Sequence, residues 1–427
     1  MGTKTQKLSN VVDQIVEWQS VFTGDGSTDL TAVVGRGYFI DTTSGTVTVT
    51  LPSSAKVGDT IALKDYNGTW GTNNVTISST LKISGASADG TLSTNNTTVT
   101  IVYIDTTKGW TPIQNSTQSA LAEDPAYVTA TGGTITTSGD FKIHTFTGDG
   151  CFVVSCGGNP GGNTKVDYLV IAGGAGGGGA QNNDSGGGGG GAGGYRESHS
   201  TPVSGCYTAS PLATPTSITI AEQTYPITVG GGGAGGSGGR NRGISGSNSV
   251  FSTITSAGGG AGGAKTNCEP DKDPLPGGSG GGGTANTGCG LPKRLGNQPP
   301  VSPPQGNPGG SNNVSDSGGG GGGAGAAGFN ANTPASNQGG FGGTGIATSI
   351  NGTSVTRAGG GGGGNYAPAP NGTGGPGGGG NGGRNTPGIS GTTNTGSGGG
   401  GAGSQGAGNI DGGNGGTGLV ILRYKFQ

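Results

Sequence analysis

The sequence predicts a mainly β protein, in which β-sandwich-like modules are followed by a lattice of polyglycine-II-type helices with loops and closing strands. Three observations predict it. Short β-branched runs with a period of two fill the first part of the chain, glycine runs fill the rest, and an apolar strand stands on either side of the glycine-rich region. Of 427 residues 107 are glycine, most of them after Ile171, so a boundary between two ways of folding falls near residue 172.

Residues 1–20 read as an amphipathic N-terminal segment. Leu8, Val11, Val12, Ile15, Val16 and Trp18 recur at helical spacing between Leu8 and Val21, with Asn10 and Asp13 suited to a first turn. Such a helix either packs on its own domain or serves as an anchor or oligomer contact. Residues 21–118 read as a β domain of the sandwich or barrel kind. Gly37 to Ile40, Thr46 to Leu51, Thr60 to Lys64, Asn74 to Ile77 and Thr97 to Ile104 are strand-like; Val47, Val49 and Leu51 alternate with threonines, as a half-buried strand requires. Asp25-Gly26, Ser44-Gly45, Asn67-Gly68 and Asp89-Gly90 supply turns between them.

Asn115 to Asp124 is polar and reads as a linker. Residues 119–172 then hold a second small β module, Thr129 to Phe146 with Cys151 to Ser155, and the leading strand Val166 to Ala172. Phe146-Thr-Gly-Asp-Gly150 repeats Phe22-Thr-Gly-Asp-Gly26, which reads as two hairpin turns of similar chemistry; five residues do not establish a duplication.

Residues 173–427 form the glycine-rich domain, closed by the strand at 418–427. About eleven runs, from Gly173 to Gly179 through Gly412 to Gly416, are interrupted mostly by Ala, Ser, Asn or Pro and once by Phe341. Glycine loses the most backbone entropy and brings no side chain to bury, so neither helix nor ordinary sheet is expected. A flexible linker needs none of the features seen: similar run lengths, intervening turn and strand chemistry, and an apolar last strand. Consecutive glycines are not the Gly-X-Y repeat of collagen. What is left is a set of three-fold extended rods packed side by side, alternating in direction, whose backbones approach closely and bond to several neighbours. Ser247 to Gly260 and Thr348 to Gly361 each look like a hairpin feeding a rod. Val166 to Ala172 and Leu419 to Phe426 are expected to pair and close the base.

The composition excludes several functions. A net charge of −2 with 10% charged residues lacks the basic footprint of a nucleic-acid binder. No apolar stretch is long enough to span a bilayer, and Met1 to Ser20 lacks the pattern of a cleavable signal, so a soluble chain without membrane insertion is expected. The five cysteines show no metal-ligand spacing; Cys268 and Cys289 either pair or stay free thiols. Gly258 to Gly263 before Ala264-Lys265-Thr266 departs from a phosphate-binding loop by the intervening alanine. Only His144 and His199 are available for imidazole chemistry, and acidic residues are sparse, so no catalytic residue, cofactor or metal is expected.

Val166-Asp-Tyr-Leu-Val-Ile-Ala-Gly-Gly, Ala192-Gly-Gly-Tyr-Arg-Glu, Tyr225-Pro-Ile-Thr-Val-Gly, Ser302-Pro-Pro-Gln-Gly-Asn-Pro-Gly-Gly and Val420-Ile-Leu-Arg-Tyr-Lys-Phe426 resemble the glycine-rich virion proteins of marine phages, especially cyanophages. Tyr38 to Pro52, with Val57-Gly-Asp-Thr60 and Lys64-Asp-Tyr66, is similar to a β module of phage fibre proteins. The order of modules resembles the tip adhesins of T4-like long tail fibres. The resemblance implies a bacteriophage virion structural protein, a tail fibre or fibre-tip adhesin that attaches to the host cell surface and forms a homotrimer. Its partners would be other tail or baseplate proteins and a host polysaccharide or outer-membrane protein. The other readings are a collar, head-fibre or baseplate decoration without a receptor, and a tailspike depolymerase. Since bare glycine presents no side chains, receptor contact is expected from Tyr195, Arg196, His199, Lys293, Arg294, Asn365 and Tyr366 in the joining segments; Tyr195 and Tyr366 alternatively cap rod ends.

Overall fold

A computed structural model describes residues 16–117, 125–181, 186–265, 269–284, 294–312, 317–331, 338–366, 370–406 and 408–427. The chain divides into two units, residues 1–123 and 124–427. It is mainly β, with several sheets and, among the described residues, no closed barrel.

In the first unit the chain winds between two facing sheets. Glu17–Trp18 (β1) and Phe22–Thr23 (β2) lie in one, Leu30–Thr31 (β3) in the other; Arg36–Asp41 (β4), Val47–Thr50 (β5), Thr60–Asp65 (β6) and Val75–Ser78 (β7) continue the alternation. Pairing is therefore parallel between strands two apart: β2 with β4, β3 with β5, β4 with β6, β5 with β7. Gly90–Leu92 (β8), Thr97–Tyr103 (β9) and Trp110–Thr117 (β10) finish the sheets antiparallel on β7, β6 and β9. The period of two sends Ile40, Ile61 and Leu63 inward from one sheet and Val47, Val49 and Val75 from the other, around fully buried Trp70 and Trp110.

The helix expected across Leu8 to Val21 is not formed over its described part. Glu17 and Gln19 donate their backbone N–H to the carbonyls of Gly35 and Gly37, making β1, while the Trp18 ring covers Gly37 and stacks on Phe39 at 4.6 Å. A sheet edge and an aromatic partner outweigh a weak helical pattern. Residues 1–15 lie outside the described residues, as do Cys268, Cys289 and Lys293. Among the described residues Cys151, Cys156 and Cys206 are free.

The second unit joins another sandwich to the glycine rods. Val128–Thr131 (β11) begins one sheet; Thr134–Ser138 (β12) and Phe141–Phe146 (β13) belong to the facing one. Gly150–Gly157 (β14) returns to the first and Lys165–Ile171 (β15) to the second. Tyr195–Ser198 (β16), the short helix Thr201–Ser204 (α1), Ala213–Thr214 (β17) and Ile218–Thr219 (β18) follow, with β16, β17 and β18 on the β15 side. Thr224–Thr228 (β19), Ser249–Phe251 (β20) and Ile254–Ser256 (β21) extend the β14 sheet. Ile346–Thr348 (β22) and Val355–Arg357 (β23) make a separate hairpin, and Leu419–Lys425 (β24) returns to lie between β13 and β15.

As expected, β15 and β24 pair, from Asp167 opposite Arg423 to Ile171 opposite Leu419. Their sheet is covered on both faces. Tyr168, Val170, Val420 and Leu422 pack with Phe152, Tyr225 and Phe251 of the facing sheet; Leu169, Ile171, Leu419 and Ile421 pack with Tyr195, Ile350 and Ala358 toward the rods. Two buried faces explain why these strands read as continuous apolar runs. The module expected at 119–172 thus shares its central sheet with the last strand of the chain, and the boundary near residue 172 marks a change of composition within one unit.

The repeated Phe-Thr-Gly-Asp-Gly segments are not hairpins. The first joins β2 to β3 and the second β13 to β14, each passing from one sheet to the facing one. In the first, the Asp25 carboxylate accepts from the Ser27 and Thr28 backbone N–H and from both hydroxyls at 2.7–3.0 Å, a local turn that redirects the chain without pairing its two arms.

From Ala172 the chain becomes a rod. Gly174, Gly177 and Ala180 donate to Gly416, Gly413 and Ile410; Gly173, Gly176 and Gly179 to Ser247, Ile244 and Asn241; Ala172, Ala175 and Gly178 to Gly194, Gly191 and Gly188, all at 2.9–3.1 Å. Every third residue meets the same neighbour, which is the signature of a three-fold helix. These three neighbours run antiparallel. Three parallel ones donate to the rod: Gly233 and Gly236, Gly259 and Gly262, Gly399 and Ala402. The β20–β21 and β22–β23 hairpins each feed a rod, at Ala257 and Ala358.

Two segments between the glycine runs are also rods. Asn241-Arg-Gly-Ile-Ser-Gly-Ser247 donates from Gly243 and Gly246 inward to Gly262 and Gly259, while Ile244 is 59% exposed. Thr386-Pro-Gly-Ile-Ser-Gly-Thr392 repeats the arrangement, with Gly388 and Gly391 donating to Asp411 and Asn414. At the lattice surface only the residues on the crowded sides must be glycine, so a one-in-three pattern suffices and long runs are confined to the interior.

The lattice gives an unequal fate to two glycines. A Cβ on Gly177 would lie 2.1 Å from the Gly400 carbonyl oxygen, whereas one on Gly231 would meet nothing within 4 Å. Gly177→Ala is expected to cost about 3 kcal/mol or more, and Gly231→Ala to be neutral or slightly stabilising. Calorimetric melting of both variants checks this; equal effects would contradict the packing.

Buried His144 supplies a pH test. Its Nδ1 donates to the Gly132 carbonyl at 2.7 Å, so Nε2 accepts from the Tyr424 hydroxyl at 2.9 Å, and burial holds its pKa below the ordinary 6.5. Below 6.5 the unfolded chain takes a proton that the folded chain refuses, so stability should fall as pH drops from 6.5 toward the lowered value. Urea melts from pH 8 to pH 5 should show this slope in the wild type and a flatter one in His144→Gln.

Candidate functional site

Because rods successive in the chain alternate in direction, the rod termini fall into two sets, one at the closing sheet and one at the far end. The far end is marked by bridges between rod termini: Ala180 with Ile410, Asn312 with Ala331, Ser317 with Asn365, Asn365 with Arg384, and Thr386 with Gly403. Of the seven residues expected to contact a receptor, the six that are described do not converge. Tyr195, Arg196 and His199 lie at the sheet end, Asn365 and Tyr366 at the far end, and the Arg294 guanidinium beside Gly283.

At the sheet end Tyr195 is 1% exposed, and its hydroxyl donates to Glu197 at 2.7 Å. Burial, reinforced by the Glu197 charge, pushes that phenol well above its ordinary pKa. Its ring packs in the cluster that holds Ile171 and Leu419 of the closing strands and is shut off from solvent. Arg196 and His199 are half-buried. The Arg196 guanidinium approaches the Thr255 carbonyl at 3.5 Å; the His199 Nε2 meets the Gly205 carbonyl at 3.0 Å, its ring edge-on to Tyr207.

Beneath them lies a buried polar layer absent from the sequence reading. Asp167 accepts from the hydroxyls of Ser198, Ser204 and Ser217 and from the Ser200 N–H at 2.6–2.8 Å. Glu197 accepts from Tyr195, from the Thr348 hydroxyl at 2.6 Å and from the Ser210 N–H at 3.2 Å. Arg423, opposite Asp167 across the strands, donates to the carbonyls of Ser204 and Ile350 and lies over the rings of Phe141 and Tyr207. Burial lowers the pKa of Arg423 and of Arg357. This layer ties α1, the segment after it and the β22–β23 hairpin to the closing sheet. The only sequence signal was a carboxylate and an arginine inside two apolar strands.

At the far end Asn365 is fully buried; its Nδ2 donates to the Pro370 carbonyl and its Oδ1 accepts from Ser317, so it holds rod ends together and presents nothing to solvent. Tyr366 follows half-buried. Arg384 is exposed there and escaped the candidate set. A signal existed: Gly238-Gly-Arg-Asn241 and Gly382-Gly-Arg-Asn385 repeat one tetrapeptide, and both occupy turns at this end, with Arg240 at φ 66° and Asn385 at φ 53°. Burial lowers the pKa of Arg294. Among the described residues no group of three His, Cys, Asp or Glu is placed to hold a metal ion.

The buried layer makes a stability prediction. Asp167→Ala leaves three hydroxyls and one N–H without their acceptor and should cost about 3–5 kcal/mol, and Tyr195→Phe about 1.5–3 kcal/mol through Glu197. Denaturant unfolding of the full chain measures both; a loss below about 0.5 kcal/mol for either would show that the layer carries no load.

A comparison with curated proteins finds none that matches. The described family of glycine-rich domains has a model that matches residues 147–425, spanning β14, the lattice and β24. The match thus covers β14 of one sheet, the β15–β24 pair of the facing sheet and the rods between those two strands, and the chain belongs to the glycine-rich domain family.

Proposed function

We propose that the chain is a structural, adhesive part of a bacteriophage virion, a tail-fibre or fibre-tip subunit that binds the host surface and catalyses nothing. The observation that carries this reading is the separation of scaffold from display. Rods hydrogen-bonded on all sides hold the rod termini of the far end side by side, with Arg384 and Tyr366 among the side chains there. The resemblance of the segments around Val166, Tyr225 and Val420 to glycine-rich phage virion proteins supports the same reading. Its partners are then a host polysaccharide or outer-membrane protein and neighbouring tail or baseplate proteins, on an external appendage, with three copies assembled as a homotrimer. Saturation of Asp167 and Glu197 by internal donors favours binding over a tailspike's carboxylate chemistry.

A decoration without a receptor is the second reading, favoured by the burial of Tyr195 and Asn365. Bacterial envelope fragments and their extracted polysaccharide, incubated with the purified chain, separate the readings: retention supports an adhesin, no retention a decoration, and released sugar an enzyme. Combined Arg294→Ala, Tyr366→Ala and Arg384→Ala should weaken retention about 10- to 100-fold, while Arg196→Ala with His199→Ala leaves it unchanged. Unaltered retention after all five replacements would reject recognition by these segments. A monomeric mass for the full chain in solution would reject the trimer.

A further inference from the structure

Asn-Gly is the dipeptide in which the backbone most readily attacks the preceding side-chain amide, because glycine has no Cβ to obstruct ring closure. The chain contains five: Asn67-Gly68, Asn351-Gly352, Asn371-Gly372, Asn381-Gly382 and Asn414-Gly415. Attack needs a glycine nitrogen that can swing toward the Asn Cγ, so a glycine N–H already donated to a carbonyl is withheld from it. In the second unit all four are withheld. Gly372, Gly382 and Gly415 donate to Gly363, Gly372 and Gly233 at 2.8–3.0 Å, and Gly352, in the tip between β22 and β23, donates to Ser349 at 2.9 Å. Asn381 and Asn414 are engaged through their side chains as well, accepting from the N–H of Gly374 and Gly235 at 2.8 Å. Asn67, Asn381 and Asn414 are all exposed, so exposure does not separate them.

Asn67 differs in its backbone. It follows β6 in a turn that Asp65 organises: the buried carboxylate accepts from the N–H of Thr69 at 3.2 Å and of Trp70 at 3.4 Å, while the Tyr66 N–H donates to the Ile40 carbonyl at 3.0 Å. Among the described residues the Gly68 N–H between them has no acceptor. The Asn67 Nδ2 donates to the Thr43 hydroxyl at 3.2 Å, a long bond at the surface. The turn also demands its glycine, since Gly68 has φ of 67° and a Cβ there would stand 2.7 Å from Asn96 Oδ1. A labile pair is thus built into the fold at this one place.

We propose that Asn67 is a site of spontaneous deamidation selected by the fold. The Gly68 nitrogen attacks the Asn67 Cγ, the new N–Cγ bond replaces the Cγ–Nδ2 bond, and the Gly68 N–H proton leaves with Nδ2 as ammonia. Water then opens the cyclic imide at either carbonyl to give aspartate or isoaspartate, and nothing is oxidised or reduced. Either product removes the donor to Thr43 and brings a second carboxylate toward Asp41, whose Oδ1 already accepts from the Thr43 hydroxyl at 2.6 Å. The site lies in the first unit and is independent of the adhesin reading.

The full chain, incubated folded in mildly alkaline buffer and in parallel in concentrated urea, provides the test. Peptide mass spectrometry follows the amide-to-acid mass gain at all five pairs, and enzymatic methyl transfer scores isoaspartate. In the folded chain Asn67 should convert at least about tenfold faster than any of the other four, the ratio expected when each of those must first release a hydrogen bond. In urea every pair keeps its glycine and loses its neighbours, so the five rates should agree within about threefold. The acidic form that accumulates should co-elute with Asn67→Asp on anion exchange and be missing from Asn67→Gln. A second-unit pair converting as fast as Asn67 in the folded chain would overturn the proposal. So would an Asn67 that stays intact when folded but converts in urea, or an equal preference for Asn67 in urea.

Discussion

Hydrogen bonds between three-fold rods set the conditions for everything else in the second unit. Each residue of an interior rod donates to one neighbour and accepts from another, and the direction changes by a third of a turn at every step, as the bonds of Ala172 through Ala180 show. Rods must then lie so close that a side chain has nowhere to go: a Cβ at Gly176, Gly187 or Gly401 would stand about 2 Å from a carbonyl oxygen. The same closeness forbids a ligand or water between interior rods. Ordering a residue costs about 1–2 kcal/mol, while a hydrogen bond returns about 0.5–1.5 kcal/mol, so the rods need help from elsewhere.

That help comes from the sheet on which the rods stand. β15 leads into the first rod and β24 leaves the last, and their pairing closes the loop that carries the rods, while burying apolar side chains on both faces. The layer of Asp167, Glu197 and Arg423 then fixes the segments that cross the rod ends. A carboxylate so placed is tolerated because every donor around it is satisfied internally. The sandwich therefore acts as the base from which rod direction is set, and the far end inherits its arrangement from that base.

The first unit solves its own problem by coiling. Parallel pairing between strands two apart builds both sheets at once, and the antiparallel strands β8, β9 and β10 end the coil.

Much of this was legible in the residues themselves. Alternation in Thr46 to Leu51 announces a strand whichever partner it takes, consecutive glycines exclude helix and ordinary sheet, and two apolar strands bracketing a polar, glycine-rich region must find each other or aggregate. Those are local properties or simple demands of burial. Partner choice is not local: whether Val47 to Thr50 pairs with its neighbour or with the strand two places on depends on where the intervening turn sends the chain, and Asp25-Gly26 looks the same in a hairpin and in a crossing. Rod identity in 241–247 and 386–392 was hidden because a surface rod needs glycine only on its crowded sides, which only the neighbours define. Tyr195 and Asn365 looked like display residues because they interrupt glycine; their burial follows from which rod end meets the sheet and which meets another rod, a matter that only the tertiary structure decides.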